Sequence, residues 1–173
     1  DLRRLAVFAA QAERARFDAT ENLLKLTTNA ESLRNVAADP ANQEYFDACT
    51  RGLFVLDQIL PGIRSTLYDT SGEVLCSSRA ATRGEFSAAD SLWFETAVQR
   101  QGFATGGYET HPQTGEPGLA FGLPIRDRDN RIVAYVSALL QVTESSKLLE
   151  GTDLPRTGRL SVVDQNGIAI NSS

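Results

Sequence analysis

The apolar positions of the first forty residues recur with a helical period. Leu2, Ala9, Leu23, Ala30 and Ala37 share one heptad position, and Leu5, Ala12, Ala19, Leu26 and Leu33 share another. Arg16 alone interrupts this seam. The pattern predicts one helix over residues 2–37, roughly 55 Å long at ~1.5 Å per residue. Asp39-Pro40 stops it, because the residue before a proline is pushed out of the α region. The Leu-rich end offers a core face, and the thinner Ala-rich start is expected to pair residues 1–37 with a second copy. A second helix over 41–60 follows from Phe46, Cys49, Leu53, Leu56 and Leu60, and Pro61-Gly62 ends it.

Beyond Gly62 the period shifts to strands. Ile63–Asp69 and Glu73–Ser78 flank the turn TSG. A short helix carrying Trp93 and Phe94 comes next, with Ser87 and Asp90 expected as its capping box and Gly102 as its stop. Strands over 103–110, 117–126 and 131–142 are separated by HPQTGEPG and DRDN. This order predicts an α+β fold: a long N-terminal helix packed on a five-stranded antiparallel sheet, with helices on one face and room for a small pocket. A brief helix over 143–150 then leads into the Gly/Pro/Thr segment GTDLPRTG, the best boundary in the chain. After it, RLSVVDQNGIAINSS repeats the pattern of STLYDTSGEVLCSS, an apolar strand ending in Asp, a Gly turn, and an apolar strand ending in Ser-Ser. The expected division is a signalling helix over 1–39, a sheet lobe over 40–150, and a linker with the first hairpin of a second, truncated lobe over 151–173.

Length allows one good core. A net charge of −5 with scattered Arg residues excludes electrostatic nucleic-acid binding, which needs clustered cations. Arg126, Arg128 and Arg131 bracket one turn and read as a solvated hairpin tip. No apolar run reaches the ~18 residues of a membrane helix, and no signal peptide is present. The sequence contains no Met, even at its start, and is read as cut from a longer polypeptide whose membrane segments lie outside it.

Catalytic patterns are missing. His111 sits beside Pro112 and reads as a solvated loop residue without metal partners. There is no GxSxG, and Gly102, Gly106 and Gly107 precede no phosphate-binding helix, so they mark a bulge or a close backbone approach. No catalytic residue, metal or cofactor is assigned. Cys49 and Cys76 read either as two buried thiols or as a disulfide. What remains is aromatic: Phe86, Trp93, Phe94, Phe103, Tyr108 and Phe121. Such residues are often core, but Trp and Tyr need a partner for their polar tips. Ligand clefts pair apolar walls with a few aimed polar groups. Trp93 facing Tyr108 and Thr110, with Ser91 and Arg83 from the preceding loop, fits that description. The candidate ligand-binding set is Phe86, Ser91, Trp93, Phe94, Tyr108, Thr110 and Phe121.

These strings, together with SAADSLWFETAV and GFATGGY…TGEPGLAFGLPIRDRDNRIVAYVSALLQV, resemble the Cache family of extracytoplasmic sensor domains, double-Cache type. The resemblance implies a PAS-like sheet hung on the long helix, as the membrane-distal lobe, followed by the start of a second lobe. It implies a disulfide between Cys49 and Cys76. It also implies a periplasmic, small-molecule-sensing input domain of a membrane-tethered receptor: a histidine kinase, diguanylate cyclase or chemoreceptor. The amino-acid-binding subset of that family carries a Tyr, an Arg, a Trp-Tyr pair, a later Tyr and an Asp. This chain has Phe86, Ser91, Trp93-Phe94, Tyr108 and Leu139. Free α-amino acids are therefore expected to be poor ligands, and a modest organic molecule, an organic acid or a ring stacking on Trp93, is expected instead. The competing expectations are a ligand-free dimerisation or protein-interaction module with a filled pocket and, well behind, an enzyme fragment.

Overall fold

The computed structural model describes residues 2–79, 81–141, 161–163 and 169–172. Helices α1 (Leu2–Thr27), α2 (Glu31–Ala38) and α3 (Gln43–Ile59) come first. Strands β1 (Ile63–Tyr68) and β2 (Val74–Ser77) follow, then helix α4 (Leu92–Arg100) and strands β3 (Ala104–Thr110), β4 (Pro117–Arg126) and β5 (Ile132–Gln141). All pairings are antiparallel, in the order β2-β1-β5-β4-β3. The α+β architecture and its five-stranded sheet are as expected. The helix expected over 143–150 and the linker after it lie outside the described residues.

Successive side chains of a strand point to opposite faces, and here both faces are covered. Ile63 and Leu67 of β1, Phe121 and Ile125 of β4, and Val136, Ala138 and Leu140 of β5 pack with Leu24, Leu33, Val36, Cys49 and Leu53 of α1–α3. The intervening Tyr68, Ala120, Tyr135 and Leu139 pack with Trp93, Phe94 and Ala97 of α4. Helices thus lie on both faces of the sheet and not on one. A sheet whose inner strands are buried on both sides cannot leave either face to water.

The predicted 2–37 helix is broken. Thr27 and Thr28 donate their hydroxyls to the carbonyls of Leu24 and Lys25. Ala30 is extended and begins α2. Thr and Asn favour such side-chain-to-backbone bonds over helix continuation, so TTN ends α1 despite the unbroken apolar period. The face α1 turns to the sheet also differs from the heptad seam. Thr20 and Leu24 are buried and Phe17 packs against the core, while the seam residue Leu26 is 74% exposed. Arg16, the interruption of the seam, reaches the Gln141 carbonyl at the end of β5 (3.5 Å).

Asn42 caps α3, accepting from the Glu44 and Tyr45 amides. The far side of α3 is tied down twice. Cys49 and Cys76 form a disulfide to β2, and Asp57 accepts from the Ser65 amide (3.1 Å) and hydroxyl (2.8 Å) of β1. Burial pushes the Asp57 carboxyl above its ordinary 3.8, against the pull of the Ser78 and Ser65 hydroxyls and of Arg64. A carboxyl that holds its proton more tightly when folded adds stability below its unfolded pKa and loses it as pH rises through the folded value. Asp57→Asn keeps an acceptor for Ser65 without the charge. It should raise the melting temperature at neutral pH, with the gain vanishing near pH ~3; an equal difference at both pH values in thermal denaturation would contradict this.

Strands β6 (Ser161–Val163) and β7 (Ala169–Ser172) form a separate antiparallel pair. Their partners are Ser161↔Ser172, Val162↔Asn171 and Val163↔Ala169, with a shift between Val162 and Val163. In β1–β2 the partners are Thr66↔Ser77, Leu67↔Cys76 and Tyr68↔Val74, with a shift between Leu67 and Tyr68. The two hairpins match residue for residue, including the irregularity. The predicted echo in sequence is therefore an echo in backbone pairing, and a bulge kept at the same place is a specific feature.

Candidate functional site: an aromatic cleft between α4 and β3

The cleft-side face of β4 carries small residues: Gly118, Ala120 and Gly122. Their effect is to let α4 settle directly on the sheet. A Cβ built on Gly122 would collide with Cε3 and Cζ3 of Trp93, so the indole sits directly against this glycine. Gly106 has the same role on β3, where a Cβ would come within 2.8 Å of the Trp93 backbone nitrogen. Gly107, at φ 79°, forms a bulge with it. The bulge or close approach expected from these glycines is both at once.

Trp93 sits in a chain of rings. Its neighbours are Tyr68 (centroids 5.6 Å apart) and Phe94 (5.5 Å), and Phe94 meets Tyr135 (5.1 Å). Tyr68 continues to Phe86 (6.1 Å), and Phe86 to His111 (5.6 Å). Most of these contacts are edge-on, the arrangement favoured by the ring quadrupole. The buried Tyr68 hydroxyl bonds to Ser137 and Thr66, yet burial dominates and raises its pKa to about 12.

One edge of this aromatic layer opens into a cleft of about 720 Å³. Tyr68 and Trp93 line it, together with Ser87, Asp90 and Ser91 ahead of α4 and Gly106 through Thr110 of β3. Of the candidate set, Ser91, Trp93, Tyr108 and Thr110 meet here. Phe86 and Phe94 support the layer from within and do not line the opening. Phe121 lies on the other side of the sheet, fully buried against Phe17 (4.7 Å) and Phe103 (6.1 Å). Alternation explains this: Ala120 and Gly122 face α4, so Phe121 must face α1. Its burial contributes roughly 2–3 kcal/mol to the core and nothing to the cleft. Arg83 lines a separate depression with Pro40 and Phe46.

Three local expectations change. Ser87 and Asp90 do not cap α4: the Ser87 hydroxyl accepts from the Ala89 amide and donates to the Gly72 carbonyl. Ser91 is the N-cap by position, but its hydroxyl donates to the Ala88 carbonyl (2.6 Å), and Gln101, in the left-handed region, ends the helix where Gly102 was expected to. His111 is not solvated. It is 6% exposed, its Nδ1 accepts from the Gln113 amide, and burial lowers its pKa, with Arg64 and Arg79 assisting and Glu116 opposing.

Sequence reasoning missed Glu109. Its carboxylate faces the Leu92 and Trp93 amides at the start of α4, the helix end that Ser91 leaves uncapped. Burial raises its pKa against those two amides, and Oε1 is sealed from solvent without completing a hydrogen bond. No local signal pointed to it, because the helix it serves is contacted only after the chain folds back along β3. Among the described residues no cluster of His, Cys, Asp and Glu is placed to hold a metal ion, and no helix is long and apolar enough to cross a membrane.

No family model and no curated protein sequence matches the chain. Its fold does match solved structures. The sensor domain of the Vibrio cholerae histidine kinase DctB superposes with TM-score 0.75 at 13% identity, covering 99% of this chain and 66% of that one. The ligand-binding domain of the Campylobacter jejuni chemoreceptor Tlp3 in complex with L-valine gives 0.69 at 14% identity, covering 98% and 67%. The Escherichia coli DcuS sensor domain gives 0.63 at 9% identity, covering 79% of this chain and 96% of that one. The chain thus spans just under two thirds of the length of the DctB domain and nearly all of the DcuS domain. The chain therefore shares the fold of these histidine-kinase and chemoreceptor sensor domains, the fold expected from its resemblance to the Cache family.

Proposed function

We propose that the chain is the periplasmic, small-molecule-sensing input domain of a transmembrane receptor, with its ligand seated in the cleft between α4 and β3. The cleft itself carries the reading: an opening of about 720 Å³ lined by Trp93 and Tyr68, with Ser91, Tyr108 and Thr110 along its edge. Concave, partly aromatic sites with a few polar groups are where small ligands bind. A ligand there touches both α4 and β3, so it favours one arrangement of these elements, which is the requirement for signalling. The matched register of β6–β7 supports a double-Cache layout, with the helical segment 1–39 (α1 and α2) as the signalling element, 40–150 as the ligand lobe and a second lobe opening within 151–173. Receptor class and membrane tethering belong to the same proposal.

The N-terminal helix favours a complementary role in pairing. Val7, Phe8 and Leu26 expose 50%, 61% and 74% of their surface, on a helix whose opposite side already packs on the sheet. Within residues 1–37, we assign the exposed side of α1 to dimerisation in the assembled receptor.

A thermal-shift screen of metabolites tests the ligand reading. A compound at about 100 times its Kd adds about 2.7 kcal/mol, or about 5–10 °C for a domain of this size. Trp93 is the sole tryptophan, so a true cleft ligand must also change its fluorescence. A panel that shifts neither signal favours the ligand-free interaction module.

A further inference from the structure

The tip of the β3–β4 hairpin is gathered around one residue, His111, the sole histidine of the chain. We propose that His111 is a pH-sensitive latch: neutral, it holds the tip over residues 111–116 against the sheet, and protonated, it releases that tip from the end of the cleft. This inference goes beyond the sensor reading and holds with or without a ligand.

The His111 amide donates to the Glu116 carbonyl (2.8 Å), and its carbonyl accepts from the Gly115 amide (2.8 Å). The ring closes the same turn from inside, where Nδ1 accepts from the Gln113 amide (3.2 Å). An acceptor at Nδ1 requires the neutral ring, with its proton on Nε2. Proton uptake puts a second N–H at Nδ1, facing the amide it was bonded to, and that bond is lost. Nor can the ring carry the charge in place, since it is buried with Phe86 edge-on against it (5.6 Å). Glu116 favours the charged form, but its carboxylate is already shared between Arg64 (3.4 Å) and the Thr114 hydroxyl (3.1 Å), and the Arg64 and Arg79 cations oppose it. The other carboxylates near the tip have their own partners. Glu85 takes the Thr82 amide (2.7 Å) and the Gln113 side chain (3.4 Å), and Glu109 is directed to the Leu92 and Trp93 amides. Asp90 lines the cleft alongside Pro112. Hydrating a charged ring therefore requires the tip to move off the sheet. Thr110 and Pro112, the chain neighbours of His111, both line the cleft, so that movement opens its end.

A single histidine gives one set of imidazole resonances, whose chemical shift against pH reads its pKa directly in the intact domain. It should titrate below the ordinary 6.5. With the folded pKa depressed, the latch is fully set above pH ~6.5 and weakens as pH falls from there towards the folded value. Protection of the Gln113 and Gly115 amides against hydrogen exchange, corrected for the intrinsic rate, should fall by up to about tenfold per pH unit across that window. These amides should also exchange through an opening of their own, with protection well below that of the β1 and β5 amides. His111→Gln offers an uncharged acceptor to the Gln113 amide and should keep tip protection constant over the same range. Should that variant not fold, the titration and the site-resolved exchange of the native domain decide alone. Titration of His111 at or above 6.5, tip exchange indifferent to pH, or the same pH-dependent loss in His111→Gln each overturns the latch. Tip protection equal to that of the sheet at every pH would mean that the tip opens only with the whole fold, and overturns it too.

Discussion

Gly122→Ala should destabilise the domain by about 3 kcal/mol, the upper end of the usual overpacking range, and turn Trp93 out of its seat. The glycine cannot retreat, because β4 is paired on both sides at this point, with Ala104 of β3 and Ser137 of β5. The indole cannot slide either, since Tyr68 and Phe94 bracket it. An added methyl therefore either strains the sheet or expels the ring into the cleft it borders. Chemical denaturation followed by Trp93 emission separates these outcomes, because expulsion shifts the emission of the free native state to the red. Ligand-induced stabilisation should be lost in the same variant. Unchanged emission and a loss below about 0.5 kcal/mol, the range of an uneventful surface substitution, would show that the indole does not rest on Gly122.

Removing the disulfide with Cys49→Ala/Cys76→Ala should have a comparable effect by a different route. The bond joins residues 27 positions apart, for which the loop-closure model gives about 3.5 kcal/mol of restriction on the unfolded chain. For this size of domain that corresponds to a melting temperature lower by about 7–14 °C. Both cysteines are fully buried among Leu53, Leu67 and Leu75, so the alanines also leave small voids that add to the loss. The tie fixes α3 to β2 covalently, whereas α1 is held to the sheet by packing and by Arg16 on the Gln141 carbonyl. Treatment with a reductant should add two hydrogens to the intact mass and lower the melting temperature similarly. An unchanged mass would remove the bond, and an unchanged melting temperature its energetic role.

Much of the sheet was legible along the chain. TSG and DRDN bend the backbone with residues suited to turns, and Asp69 and Asp127 hold those bends through their side chains, Asp69 to the Ser71 and Glu73 amides and Asp127 to those of Asp129 and Arg131. These interactions are local, so the residue types announce them. The helix break at Thr27–Ala30 was also local, but hydroxyl competition was masked by an apolar period that runs through it. The cleft was half legible. Trp93, Tyr108, Ser91 and Thr110 converge because α4 and β3 are joined by a short turn, which keeps near neighbours in sequence near in space. Phe121 and Glu109 went the other way, for reasons of side and of distance.

Residue order and periodicity by themselves determined which segments are helix, which are strand, and that the strands pair antiparallel through tight turns, since each depends on backbone preferences within a few residues. They also determined the likeness of the two hairpins. Only the tertiary structure decided which face of β4 receives α4, because a strand buried on both sides alternates the same way whichever layer covers it. That choice, made by the room over Gly122 and Gly106, puts Trp93 at the edge of an open cleft, Phe121 in the opposite core, and a carboxylate at a helix end with no cap of its own.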